Sequence, residues 1–162
     1  MKPDAVIREQ LFALLRGGNA HMSFDEVVEK FPLGKINAKL PNFTYTPWRL
    51  LEHMRIVQWD ILEFVKTPGH VSPDYPSGYW PPEESTATGP QWKKTITAFR
   101  AGLKSAQELV KNPGTDFFSP IPHAKDYTVF REMLLIADHN AYHIGEIAAM
   151  RRVMNIRSAS GW

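Results

Sequence analysis

The 162-residue sequence contains no cysteine. That absence removes disulfide staples, thiolate metal sites and a cysteine nucleophile together, so any metal ion would have to be held through nitrogen and oxygen. A strong charge of either sign is missing too. There are 19 Lys and Arg against 17 Asp and Glu, a formal net charge of +2, which gives no electrostatic footprint for nucleic acid or an anionic lipid surface. No run of 18 apolar residues occurs, and the opening MKPDAVIREQ lacks the apolar core of a signal peptide. The expectation is a cytoplasmic protein whose partners are small molecules rather than nucleic acid or membrane. No internal repeat is present, and no strand pattern competes with the helical one.

What remains is the composition of an ordinary globular chain, 43% hydrophobic and 22% charged, long enough to build a core without staples. One domain over residues 1–162 is the expectation. Four segments carry the helical period and are separated by Pro- and Gly-rich connections, the outline of an all-α four-helix bundle. The first helix spans about Asp4 to Arg16, with Ile7, Leu11, Leu14 and Leu15 on one face and Gly17-Gly18 as its stop. A short helix follows, opened by the capping-box pair Ser23 and Glu26. The second long helix starts at Thr46-Pro47, where proline's missing N–H does no harm, and runs to about Lys66 with Leu50, Met54, Val57, Ile61 and Phe64 inward.

The third spans about Pro90 to Lys111, with Trp92, Ile96, Phe99, Leu103, Ala106 and Val110 as its stripe. Between the second and third lies TPGHVSPDYPSGYWPPEESTATG, too long and proline-rich for a tight hairpin. It reads as a long crossover whose Tyr75, Tyr79 and Trp80 serve as packing or as the wall of a pocket. The fourth helix, about Thr128 to Met154, places Glu132, Ile136, His139, His143, Ile147 and Met150 on one stripe. Two histidines therefore occupy core positions one turn apart.

Side chains four apart on a helix stand about 5 to 6 Å apart at Cβ, so two imidazoles can converge on one ion. The alternative is a pair of core histidines, each hydrogen-bonded to a neighbour. A neutral imidazole carries a donor and an acceptor that both need partners, and two on one buried stripe double that demand. On spacing alone the two readings stand level. A third inward histidine tips the balance, and His53, on the apolar stripe of the second helix, supplies it. His21, His70 and His123 fall in loops; His123 is the least dismissible, since its loop enters the fourth helix. Three imidazoles leave coordination positions open, the mark of a catalytic rather than a structural ion. Imidazole suits zinc, nickel, iron and copper alike.

The zincin motif would need a glutamate after the first histidine; Asn140 stands there. A di-iron bundle would need two Glu-x-x-His units, which are absent. Glu146, three residues after His143, can take a proton, accept a hydrogen bond from a ligand ring, or reach solvent. Asp138, Glu52, Tyr142 and Arg151 sit elsewhere around their helices and are weak candidates.

With LLEHMRIVQWDIL in the second helix and DHNAYHIGEI in the fourth, the sequence resembles the DinB/YfiT-like superfamily of metalloenzymes. The resemblance extends over nearly the whole chain, including the crossover and the ending near Trp162. It implies an up-down-down-up bundle, frequently a homodimer, with a divalent ion on residues that map to His53, His139 and His143. Relatives of that kind include thiol-dependent S-transferases, a mycothiol-dependent isomerase and proteins described as metal-dependent hydrolases. Glu146 stands where glutamine is frequent. A DNA polymerase shares the name without being related.

Two functions follow. The first is an enzyme in which zinc, nickel or iron activates water or a low-molecular-weight thiol cosubstrate for hydrolysis or S-transfer on a small molecule, with Glu146 handling protons. The second is a non-catalytic metal or small-molecule binding module of a stress response. Nucleic-acid binding would rest on Arg151, Arg152 and Arg157 alone, a cluster read here as solvated.

Overall fold

The computed structural model describes residues 3–157, so Trp162, the end of the expected 1–162 domain, lies outside the described residues. The chain is mostly helical. In order come α1 (Pro3–Arg16), the short α2 (Phe24–Val28), α3 (Pro47–Lys66), α4 (Gly89–Lys111), the strands β1 (Pro120–Ile121) and β2 (Ala124–Thr128), and α5 (Val129–Val153). No helix among the described residues is long and apolar enough to cross a membrane.

Helix starts follow local chemistry. Ser23 and Glu26 form the expected capping box of α2, and the Thr46 side chain accepts from Arg49 N ahead of the proline that opens α3. Thr88 and Gln91 build a second capping box that starts α4 one residue before Pro90. At the other end of α4, Arg8 on α1 donates to the carbonyls of Val110, Asn112 and Thr115 at 3.1, 2.9 and 2.7 Å. A single guanidinium thus satisfies the open Val110 carbonyl at the helix end and ties the turn after it to α1.

The hairpin departs from the all-α expectation. β1 and β2 pair antiparallel inside the connection before α5, with Pro120 opposite Thr128 and Ile121 opposite Ala124. One strand has two residues, and the other is exposed or half-buried along its length. Neither offers the alternation by which a strand is recognised. Two further positions differ from the sequence reading. Leu14, placed on the inner face of α1, is 47% exposed. Arg151, read as solvated, is 3% exposed and donates to the carbonyls of Val27, Glu29 and Arg157.

α3 lies against α4 and α5, and α1 against the same two helices. Partners on α3 and α4 rise together along the chain: Glu52 with Thr95, Gln58 with Phe99, Lys66 with Ser105. From the α3 side towards α5 they run in opposite order: Tyr45 with Glu146, His53 with His143, Phe64 with Tyr127.

The apolar interior falls into two clusters. One gathers α2 with Leu50, Met54, Phe99, Ile147 and Met150; the other gathers α1 with Ile61, Ala106, Met133 and Ile136. Along α3 and α5 a polar belt intervenes, made of His53 and Gln58 on one helix and His139, Asn140 and His143 on the other. Asn140 Nδ2 donates to Gln58 Oε1 at 3.0 Å, and Gln58 Nε2 donates to the Phe99 carbonyl at 2.8 Å. A Cβ at Gly102 would stand 2.6 Å from that Gln58 nitrogen, which accounts for glycine in the middle of α4.

Alanine is the better helix former by about 1 kcal/mol, yet Gly102→Ala is expected to lower the urea midpoint because it disrupts the buried Gln58 bonds. In a Gln58→Ala background, itself less stable by roughly 2 to 3 kcal/mol, the same substitution should raise the midpoint. Equal effects in both backgrounds would mean that Gln58 does not set the requirement at Gly102.

Candidate metal centre

The three inward histidines meet. His139 and His143, one turn apart on α5, have ring centroids 4.4 Å apart, and the His53 ring from α3 lies 5.0 and 4.9 Å from them. One nitrogen from each falls within 4.8 Å of the other two. His53 and His143 are each 7% exposed, while His139 is half-buried.

Neighbouring groups fix two of the rings. His53 Nδ1 lies 2.8 Å from the Tyr79 carbonyl, which can only accept, so Nδ1 carries the proton and Nε2 presents a lone pair. The Trp80 indole stacks on the same ring with centroids 3.8 Å apart and planes 4° from parallel. His143 Nδ1 lies 2.6 Å from Glu146 Oε2, and the Tyr45 hydroxyl donates to Glu146 Oε1. Tyr45 in turn stacks on Trp80 at 4.9 Å. The two carboxylate oxygens of Glu146 are thus engaged by a candidate ligand and a phenol. Burial, with Glu146 adding to it, pushes the Tyr45 phenol well above its ordinary range, so it stays a donor.

His139 Nε2 faces His53 Nε2 across 3.1 Å. With the His53 proton on Nδ1, its Nε2 lone pair either accepts from His139 Nε2–H or, in the other His139 tautomer, shares one cation with it. Two nitrogens about 2.0 to 2.1 Å from one ion are separated by roughly 2.9 Å at a right angle and 3.3 Å at a tetrahedral angle, so the spacing fits. The charge state fits as well. Burial, opposed in part by the Tyr79 carbonyl, lowers the His53 pKa from 6.5 to about 4; burial and the two neighbouring imidazoles lower that of His139 to about 3. Both rings are neutral near pH 7, the form that binds metal.

The histidines open onto a cavity of about 780 Å³ walled by Tyr75, Tyr79, Trp80, Tyr127 and Tyr142, with Arg131 and Glu132 also lining it. The crossover aromatics therefore do form a pocket wall. Of the weaker candidates, Asp138 and Tyr142 line the cavity, and Glu52 binds Arg55 and Thr95 instead. His123 reaches the Phe64 carbonyl and His21 the Met22 carbonyl; neither joins the cluster.

A family model described as the DinB superfamily matches residues 19–147, about four fifths of the sequence and all three histidines. The chain belongs to the DinB superfamily. No curated protein and no solved structure matches it. Within this DinB chain the sequence alone left Tyr45 unremarked, since nothing local marks a loop tyrosine 101 residues from its carboxylate partner.

The depressed histidine pKa values set a pH dependence for the metal-free protein. The unfolded chain takes up protons near pH 6.5 that His53 and His139 refuse when folded. Folding stability should therefore be complete above about pH 6.5 and fall as the pH drops towards 4 and 3. Denaturation midpoints measured between pH 7 and 4 should decline less steeply for His139→Gln than for the parent protein.

Proposed function

We propose that this DinB chain is a metal-dependent enzyme acting on a small molecule, with His53, His139 and His143 as ligands of a divalent ion, zinc, nickel or iron. The observation that carries the reading is the convergence of three imidazoles, from two helices, at the wall of an aromatic cavity. When bound, the ion would supply Lewis acidity, making water or a low-molecular-weight thiol a nucleophile near neutral pH for hydrolysis or S-transfer. The remaining work falls to the chain. Glu146 aims the His143 ring and, bonded to Tyr45, is the carboxylate to which we assign proton handling. Tyr79 and Trp80 orient His53 and help to keep bulk water from the ligands.

An open coordination position is part of the proposal. Its support is that the cluster comprises three histidines, with no carboxylate among the described residues joining them. A closed sphere would instead favour the binding-module reading. We take the scaffold to be an up-down-down-up four-helix bundle, supported by the matched order of contacts between α3 and α4 and the opposed order towards α5. The homodimer implied by the family resemblance belongs to the same proposal, and light scattering measures it.

Elemental analysis of protein purified without an affinity tag should find about one divalent ion per chain. His139→Ala should lose the ion and any turnover in a screen of thiols with electrophiles, while its helical circular dichroism persists. Turnover that survives in the folded, metal-free variant would discard the mechanism. Glu146→Gln and Tyr45→Phe should bind the ion about 10- to 100-fold more weakly, the usual consequence of removing a group that orients a ligand. Chelator competition reads this directly.

A further inference from the structure

The crossover between α3 and α4, residues 67–88, is fastened at two points by one carboxylate. Asp60 on α3 is 6% exposed, and its two oxygens accept from two crossover residues: Oδ1 from His70 Nε2 and Oδ2 from the Tyr79 hydroxyl, each at 2.7 Å. Tyr79 is also the residue whose backbone carbonyl accepts from His53 Nδ1, and the next residue, Trp80, covers the face of that ring. Tyr79 thus touches Asp60 with the tip of its side chain and His53 with its main chain. Asp60 follows His53 by seven residues, about 10 Å along the helix. That exceeds a direct bond, and the Tyr79 hydroxyl is the Asp60 partner whose own main chain meets the imidazole.

The carbonyl that fixes His53 has only one short turn of regular structure to hold it. Ser77–Tyr79 form a single 3-10 turn in a segment interrupted by Pro73, Pro76, Pro81 and Pro82. Side chains supply the missing restraints: Asp60 before the turn's end and, just after it, Arg49, which donates to the Pro81 carbonyl at 3.3 and 3.1 Å. A buried charge adds little net stability over a well-packed apolar side chain. What Asp60 adds, beside a side-chain bond from Ser72, is a restraint on the Tyr79 ring and hence on the carbonyl behind it. Burial, reinforced by Asp60, raises the pKa of the Tyr79 phenol, which keeps it protonated and donating.

We propose that Asp60 is a positioning residue of the metal centre: by gripping the Tyr79 hydroxyl it holds the carbonyl that sets the tautomer and direction of His53. The inference rests on the metal-centre reading above.

Asp60→Asn and Tyr79→Phe test it. Each should weaken zinc binding at least about 10-fold in competition with a chromophoric chelator, the scale found when a ligand's orienting partner is removed. Because both act on one path, the double variant should bind no more weakly than the weaker single. In the metal-free protein, ring ¹⁵N spectra should show His53 protonated at Nδ1 in the parent and a tautomer mixture in both variants, a change that a purely structural role would not produce. Parental affinity with an unchanged His53 spectrum in the folded variants would overturn the proposal, as would additive losses. A tautomer change in the variants, with a parent protein that binds no zinc, would uphold the positioning of His53 and discard the metal reading instead. If Asp60→Asn does not fold, Tyr79→Phe, which keeps both ring and carbonyl, carries the test.

Discussion

A buried imidazole needs a partner for each of its two nitrogens, and meeting that need organises this molecule. His53 has one nitrogen on the Tyr79 carbonyl, and His143 has one on Glu146. Their other nitrogens, with that of His139, turn towards a common centre. Each outer partner is itself held: Glu146 by Tyr45, and the Tyr79–Trp80 segment by stacking on His53 and on Tyr45. Two of the three rings are thus held by mutual restraints, and the direction of His53 depends on groups more than 20 residues away in the chain.

The cost of such a site is a polar layer inside the bundle. Two apolar clusters, rather than one, stabilise the fold, and between them Gln58, Asn140 and the Phe99 carbonyl form a hydrogen-bonded strip beside the histidines. Burying these groups is tolerable because nearly all find partners; Asn140 Oδ1 is a buried atom with none. The strip also fixes how closely α4 approaches α3, since Gly102 leaves the space that the Gln58 amide fills. Neutral, desolvated His53 and His139 follow from the same enclosure, which makes the rings ready ligands and poor proton acceptors.

Much of this was legible in the sequence. The long helices fall where the apolar period and the Thr-Pro and Asn-Pro-Gly signals put them, to within a residue or two, and His53, His139 and His143 come together as their stripes imply. The crossover was visible as a proline-rich interval of aromatics, and its tyrosines and tryptophan do wall the cavity. Other features left no periodic trace. The hairpin is too short and too exposed to alternate, and Arg151 is buried against two carbonyls of a distant segment and one six residues on, which no helical wheel records.

Periodicity and side-chain chemistry alone determined the helical class, the inward stripes and the three candidate ligands, because each depends only on neighbours within a turn or two of helix. Tertiary structure decided what the other side of two candidate ligands touches: Tyr79 behind His53, Glu146 and Tyr45 behind His143, and Asp60 behind Tyr79. Those contacts join residues up to 101 positions apart. A hydrogen bond is sensitive to tenths of an ångström and to angle, and only the packing of helices and crossover against one another sets distances that finely.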